Sequence, residues 1–453
     1  MNKICKQHAH IVDMTRGNPM PLILSFAIPL FIGNILQQVY SMVDTMVVGY
    51  NFGEQAIAAI GATSSIYVLM IYFSSGMNNG FAIIVTQRFG AHDNSALKKS
   101  IAATLELNAV IAVAVTILSL VFMKPFMHFL NTPADIFDQA YIYISIVCGG
   151  ISTTICYNMF SGILRSLGNS RTPLVHLIVA SSLNIVLDLV FVISFDMGIA
   201  GTALATVLAQ GVAGWLSGRY LFRNYKDLLP GREDYQIGLK LMLEMLASGF
   251  AMALMVCVVS IGSVAMQRAV NKLEVEVIAA NTASRRIIDM FMQPLASIAT
   301  ASSTFTGQNW GAKQFERIRT TLRKVMLLEV VICVVFCAAI WLFGDRLVVF
   351  TTGSSEGAMV SNAVLSLRIH FALYPFLGIL LCLRTSMQAM GRKTVPIMIS
   401  VLELIMKILG AAWLIPRFGF VGTAYTVSST WVICSTLLVV LYIRQRKNIF
   451  NQG

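Results

Sequence analysis

The chain has 453 residues, of which 57% are hydrophobic and only 12% are charged. Soluble proteins carry about 25% charged residues, so this composition excludes an ordinary soluble globular protein and indicates a membrane protein. The net charge of +12 does not indicate nucleic-acid binding, because the basic residues lie in short loops between apolar runs. That placement is typical of the cytoplasmic loops of membrane proteins.

Twelve apolar runs follow one another along the chain. Each is long enough to cross the roughly 30 Å hydrocarbon core of a bilayer, which takes about 20 helical residues. The strands of a membrane β-barrel would appear as alternating segments of about ten residues, and these runs are longer and do not alternate. The first run has no small-residue cleavage site and is interpreted as a retained span, not a signal peptide. The sequence therefore predicts an all-α polytopic membrane protein with twelve transmembrane helices, at 20–48, 56–82, 97–122, 138–159, 172–195, 199–222, 239–265, 277–303, 322–343, 361–386, 394–416 and 419–443.

Lys and Arg residues are concentrated in every second loop, with the densest groups at 219–240, 313–324 and 444–447. Loops rich in these residues stay on the cytoplasmic side of the membrane. The bias predicts that both termini are cytoplasmic. We expect a multi-pass protein of a bacterial plasma membrane.

The two halves of the chain look like copies of each other. Gln87-Arg-Phe-Gly-Ala91 aligns with Gln308-Asn-Trp-Gly-Ala312, and Gly198 aligns with Gly419, both at a separation of 221 residues. We predict an N-terminal six-helix lobe at 1–222, a cytoplasmic linker at 223–238 and a C-terminal six-helix lobe at 239–453. An even number of spans per copy makes the repeat parallel, with a pseudo-two-fold axis along the membrane normal, as in several transporter folds. A cleft between the lobes is the expected substrate site.

Two acids lie deep inside apolar runs. Asp188, in the fifth run, follows Asn184 by four residues, which places both side chains on one helix face. Asp44 lies in the first run. A charged Asp at the centre of a bilayer costs about 2.5–3.5 kcal/mol on insertion scales, and acids in such positions mark ion pathways. We predict that Asp44 and Asp188 form one cation site for H⁺ or Na⁺, and the residues do not decide between the two ions.

Several further motifs follow one another along the chain. They are Val43-Asp44-Thr45, Gln87xxGly90-Ala91 and its copy Gln308xxGly311-Ala312, Gly162-Ile-Leu-Arg-Ser-Leu-Gly168, Asn184xxxAsp188 and Gly201-Thr-Ala-Leu-Ala-Thr206. In these motifs the chain resembles transporters of the multidrug and toxic compound extrusion (MATE) family, and within it the DinF-like branch. The resemblance covers nearly the whole chain. It implies two six-helix bundles in a V shape and secondary active antiport, in which bulky, often cationic amphipathic compounds leave as H⁺ or Na⁺ enters.

In the DinF-like branch the cation site lies in the N-terminal lobe. Carried over by position, the resemblance implies a set of oxygen-bearing side chains able to hold the coupling ion, namely Asp44, Tyr143, Asn158, Asn184, Asp188 and Thr206. The other branch of the family keeps an acid in the middle of span seven. Here residues 251–259 contain no acid, which makes coupling through that position doubtful.

Three charged residues of the second half are candidates for the substrate cleft. Glu403 and Lys407 are spaced i,i+4, so they either form a polar point on the cleft wall or neutralise each other. Asp289 follows Arg285 and Arg286. It either pairs with them or contacts cationic compounds.

No cofactor is expected. The HExxH and GxxxxGK[ST] motifs are absent from the sequence, so an enzyme is not expected and an ion gradient is the expected energy source. No metal site is expected beyond Na⁺ at the predicted cation site. The expected partners are drugs or toxic organic cations and the lipid bilayer, with no nucleic acid and a monomer as the default. The alternative function is a flippase or exporter of lipid-linked precursors or polysaccharide, although such proteins tend to have extra spans.

Overall fold

The computed structural model describes residues 11–129, 132–353 and 357–450, with side chains except at 41, 45, 54, 55, 57, 62, 64–66, 129, 275 and 446–450. The predicted cytoplasmic tails at 1–10 and 451–453 lie outside the described residues. Within these ranges the regular structure is helical, and no strand is present.

Fourteen α-helices follow in order along the described residues. The stretch Pro19–Gly90 is broken at Gly53, whose φ of 72° and ψ of −166° are not helical, into α1 (Pro19–Gly53) and α2 (54–90). The first half continues with α3 (Asn94–Phe129), α4 (Ala134–Gly149), α5 (Ile151–Ser166), α6 (Arg171–Leu189) and α7 (Ile199–Asn224). The second half contains α8 (Leu239–Val270), α9 (Val275–Gly311), α10 (Phe315–Thr352), α11 (Gly357–Ala372), α12 (Tyr374–Ala389), α13 (Thr394–Leu409) and α14 (Ile415–Phe450).

By length and composition, eight stretches of the described residues can each cross a membrane, and the bent pairs α4–α5 and α11–α12 raise the number to ten. One of the eight, Thr394–Gln445, is 52 residues long and is broken at Gly419, where φ is 54° and ψ is −130°. It covers the two spans predicted at 394–416 and 419–443. The helix α9, 37 residues long, covers the span predicted at 277–303. The prediction of an all-α polytopic membrane protein with twelve transmembrane helices is confirmed.

The outward faces of α3 and α10 are apolar. In α3 the side chains of Val110, Val113 and Val121 are more than half exposed, as are those of Leu327 and Leu342 in α10. Large exposed apolar patches are rare on soluble proteins and mark interaction or membrane surfaces. These faces are the sides of the helices that lipid chains would solvate.

The duplication predicted from the sequence recurs in the backbone. α6 continues into the π-helical turn Val190–Ser194, and α13 continues into the π-helical turn Gly410–Leu414. His92 and Lys313, which are 221 residues apart, both adopt positive φ angles, of 59° and 57°. Such angles are uncommon for residues other than glycine. Their occurrence after both copies of the Gln-x-x-Gly-Ala motif shows that the same turn is built twice.

The chain packs into two compact units. One is built mainly from Pro29–Ala253, and the other from Met14–Ile28 together with the chain from Leu254 onward. The first part of α1 therefore packs with the second unit, and the first part of α8 packs with the first unit. The predicted boundaries at 1–222, 223–238 and 239–453 describe the duplicated segments and stay a prediction.

The second copy of the Gln-x-x-Gly-Ala motif holds the chain ahead of α1 within the second unit. The side-chain oxygen of Gln308 accepts a hydrogen bond from the Met14 backbone N–H at 2.8 Å. Asn309 Nδ2 and Arg317 Nη2 donate to the Met14 carbonyl oxygen at 3.1 Å and 3.2 Å. These hydrogen bonds tie the chain just ahead of α1 to α9 and α10.

Within the first unit, α2 lies against α8 at two glycines spaced i,i+4. A β-carbon built at Gly76 would lie 2.5 Å from the Ala253 α-carbon, and one built at Gly80 would lie 2.5 Å from the Gly249 α-carbon. Small residues at this spacing let two membrane helices approach closely. Only a residue without a side chain fits at either position.

Replacing Gly80 by Ala is expected to destabilise the protein by at least about 2 kcal/mol, because the added methyl group would press on the α8 backbone, which cannot move aside as a flexible side chain would. The measurement is the unfolding temperature of the purified protein in detergent. The matched control is Gly61→Ala in the same helix, since a β-carbon there meets nothing within 4 Å. Equal unfolding temperatures for the two variants would contradict this account of the packing.

Candidate cation-binding site

Asn184 and Asp188 lie one turn apart on the buried face of α6. Asp188 is fully buried and Asn184 is nearly so. Neither Asp188 carboxyl oxygen, nor either polar atom of the Asn184 amide, has a hydrogen-bond partner within the described part of the chain. Buried polar groups normally have partners. Four unpaired polar atoms on one face are therefore ready to bind a ligand.

The local sequence positions this face. Just ahead of α6, the side-chain oxygen of Asn169 accepts a hydrogen bond from the Thr172 backbone N–H at 3.0 Å. The π-helical turn Val190–Ser194 begins two residues after Asp188. Single π turns inside α-helices occur frequently at functional sites. Asp188 therefore occupies the last ordinary turn of α6.

The structure brings Asp44 of α1 to Asp188. The two carboxyl groups are close enough for one to donate a hydrogen bond to the other when it carries a proton. One oxygen of Asp44 is buried without a hydrogen-bond partner among the described residues. Two ionised carboxylates about 4 Å apart would repel each other by about 4 kcal/mol at an effective dielectric constant of about 20. A pair so placed is relieved by binding a proton or a metal cation.

Three tyrosines lie near the two acids. The phenol of Tyr143, which the resemblance implied as a ligand, interacts with Asp44 and Asp188. Tyr40 also interacts with both acids, and Tyr67 interacts with Asp44. The phenols offer O–H donors to an ionised carboxylate and neutral oxygens to a bound cation.

Sequence reasoning missed Tyr40, Tyr67 and Gln210. The side chain of Gln210, on α7, lies close to Tyr40, and its buried oxygen has no hydrogen-bond partner among the described residues. A signal for Tyr40 was present, since it precedes Asp44 by four residues and therefore shares its helix face. No spacing within one helix connects Tyr67 or Gln210 to the acids.

The resemblance also implied Asn158 and Thr206 as ligands. Among the described interactions of the two acids, none involves Asn158 or Thr206. The Thr206 hydroxyl donates to the Thr202 carbonyl oxygen of its own helix at 3.0 Å. The neighbour of Asn158, Tyr157, interacts with Tyr40 instead. The roles of Asn158 and Thr206 as ligands stay a prediction.

In the second unit, Glu403 is held between two cations. Its Oε1 lies 2.9 Å from Lys407 Nζ, and its Oε2 lies 3.3 Å from Arg384 Nη1. The side chains of Glu403 and Lys407 are both buried, and that of Arg384 is mostly buried. The Lys407 ammonium also donates to Ser263 Oγ at 3.5 Å. The three side chains carry a net charge of +1 and, in these contacts, satisfy one another.

Asp289, on α9, pairs with Arg285 at 4.0 Å, and both side chains are about half exposed. A pair at this distance and exposure contributes little to stability. The assignment of Asp289, Glu403 and Lys407 to a substrate cleft stays a prediction. Across the described residues, no group of three or more His, Cys, Asp and Glu side chains is arranged to hold a metal ion.

Comparison with known proteins shows which family the chain belongs to. The family model named MatE matches residues 29–190 and 251–413, so it is met twice, once in each half of the chain. A solved structure described as "Crystal structure of MATE in the bent conformation" superimposes with a TM-score of 0.90 at 21% identity, covering 97% of this chain and 98% of that one.

Curated relatives agree. Probable multidrug resistance protein YpnP of Bacillus subtilis (strain 168) is 27% identical over 385 residues, which is 84% of this chain and 84% of the relative. DNA damage-inducible protein F of Escherichia coli (strain K12) is 22% identical over 373 residues, covering 78% of this chain and 76% of the relative, which supports the DinF-like branch. Because the family model covers well over half of the sequence, the chain belongs to the MatE family of multi-pass membrane transporters.

Proposed function

We propose that the protein is a secondary active antiporter that exports bulky, cationic amphipathic compounds in exchange for H⁺ or Na⁺. The observation that carries this proposal is the direct approach of the Asp44 and Asp188 carboxyl groups in a buried site. Among the described residues no Lys, Arg or His neutralises them. A site of this kind is poorly stable when empty and is stabilised by a cation.

Binding of the coupling ion would change how two helices pack. With both carboxylates ionised, α1 and α6 repel each other at this point, and a proton or Na⁺ removes that repulsion. The ion therefore favours one packing of the helices over another, as ligand-driven switching requires. We propose that this difference opens and closes a substrate path by alternating access of the two predicted lobes.

The relatives support drugs as the substrate class. YpnP is named a probable multidrug resistance protein, and MepA of Staphylococcus aureus (strain COL), 21% identical over 448 residues, is named a multidrug export protein. A substrate that carries positive charge fits exchange at a carboxylate pair, because substrate and coupling ion would then favour opposite states of the same acids. We propose a bacterial plasma membrane with cytoplasmic termini as the location, from the Lys and Arg bias of the loops.

The test uses purified protein in liposomes and the fluorescent cation ethidium. A pH gradient and a Na⁺ gradient are imposed in separate experiments, each with an ionophore control that removes the gradient. We expect ethidium to move under one gradient and not under the other, which names the coupling ion, because oxygen ligands serve H⁺ and Na⁺ alike. If neither gradient moves ethidium or any other organic cation while labelled lipid-linked precursors are moved, the flippase alternative replaces this proposal.

A further inference from the structure

Another membrane-embedded acid lies in the second unit, far along the chain from Asp44 and Asp188. Glu329 is on α10, inside the apolar run at 322–343, and it is fully buried. Neither of its carboxyl oxygens has a hydrogen-bond partner among the described residues. Glu403, the other buried Glu of this unit, is paired with two cations. Glu329 has no such compensation.

The surroundings of Glu329 contain small and sulfur-bearing residues. Its side chain lies over Gly378 of α12. A β-carbon built on Gly378 would be 3.2 Å from the β-carbon of Glu329 and 3.5 Å from Glu329 Oε2. The thiol sulfur of Cys333, one turn further along α10, would lie 3.6 Å from the same built β-carbon. Helices α9, α11 and α12 pack against α10, and none of them presents a described cation to Glu329. An ionised carboxylate in such a place is strongly disfavoured, so the group holds a proton.

The duplicated chain supports a neutral side chain at this position. At the separation of 221 residues, the counterpart of Glu329 is Asn108 on α3. Asn108 is also buried, its Nδ2 donates to the Thr104 carbonyl oxygen at 2.8 Å, and its Oδ1 has no partner in the described structure. A protonated Glu resembles this neutral amide, while an ionised Glu does not. Both copies therefore keep a polar group here, and only the second copy has one that can release a proton.

Polar side chains also lie between α9 and α12. The Cys382 thiol donates to Ser302 Oγ at 3.9 Å, and Ser302 Oγ lies 3.4 Å from Ser386 Oγ. Each of these groups can donate one hydrogen bond and accept another.

We propose that Glu329 is a second proton-binding site of this transporter, separate from the Asp44–Asp188 pair, and that it takes up and releases one proton in each transport cycle. The step makes and breaks only the O–H bond of the Glu329 carboxyl group. This inference rests on the proposed ion-driven transport for its role, but proton binding at Glu329 can be measured without transport.

The direct test is infrared difference spectroscopy of the full chain in lipid nanodiscs between about pH 5 and about pH 10, the range that buried carboxyl groups reach. The probe is the C=O stretching band of a protonated carboxylic acid. In protein labelled with ¹³C at the glutamate carboxyl groups, we expect a shifted band that disappears as the pH rises. That band should be lost in Glu329→Gln and kept in Asp188→Asn. If the Gln variant does not fold, Glu329→Asp serves in its place, since its aspartate carboxyl group is unlabelled and the shifted band should be lost there too.

The transport readout separates this inference from the proposed function. In liposomes we expect Glu329→Gln to move substrate with one proton fewer per molecule than the wild type, and Glu329→Asp to restore the wild-type ratio. A glutamate band that titrates in a protein that no gradient drives would overturn the proposed function and leave the proton site standing. A glutamate band that does not change over the whole pH range, or an unchanged proton ratio in Glu329→Gln, would overturn the inference.

Discussion

Replacing Asp188 by Asn is expected to lower the initial rate of gradient-driven ethidium transport by more than about tenfold, which corresponds to more than about 1.4 kcal/mol in the barrier. Asn has nearly the same shape as Asp, so the buried face of α6 is kept. It cannot bind a proton or carry the negative charge that attracts a cation. The measurement is the transport rate in liposomes under the gradient that drives the wild type.

The control for this experiment is Asp196→Asn. Asp196 is exposed and lies just beyond the π-helical turn, with a φ of 49° that Asn also tolerates. We expect a rate within about twofold of the wild type, since an exposed substitution away from the site has little effect. We also expect Asp44→Asn together with Asp188→Asn to be no slower than Asp188→Asn alone, because residues that act as a unit are not additive. Wild-type rates in Asp188→Asn would contradict the coupling role of the pair.

Replacing Glu403 by Gln is expected to destabilise the protein by about 3–5 kcal/mol, the usual effect of removing one partner from a buried ion pair. The reason is the local charge. Glu403 is the single described anion between Lys407 and Arg384, and without it two buried cations are left facing each other. The measurement is the unfolding temperature in detergent at low ionic strength.

The informative comparison is Lys407→Met. It leaves Arg384 and Glu403 as a neutral pair at 3.3 Å, so the loss of stability should be clearly smaller than in Glu403→Gln. The double variant should be more stable than Glu403→Gln alone, since it removes one of the two unpaired cations. Equal losses in Glu403→Gln and Lys407→Met would show that packing, and not charge, determines the stability of this group.

The membrane spans were predictable because the bilayer imposes a strict rule. Every backbone polar group in the hydrocarbon must be satisfied within its own segment, so a long apolar run has to be a helix. The bends between α4 and α5 and between α11 and α12, of 41° and 51°, were not predicted. Bends depend on how neighbouring helices pack, and the residues of an apolar run do not specify that packing. The division at Ile28 and Ala253 also followed only from packing.

The sequence by itself determined the helical class, the number of spans and the duplication. It also determined the two acids of the candidate site, because placing a charged acid in the bilayer is unfavourable and such a residue is conspicuous in an apolar run. It also placed Asn184 and Asp188 on one face, since the helical period relates residues within a helix. Only the tertiary structure decided which side chains meet between helices. In the folded protein, Tyr67 and Gln210 lie near the site on α1 and α6. Arg384 pairs with Glu403 beside Lys407. Glu329 has no hydrogen-bond partner among the described residues. Such contacts join residues distant along the chain, and no local spacing encodes them.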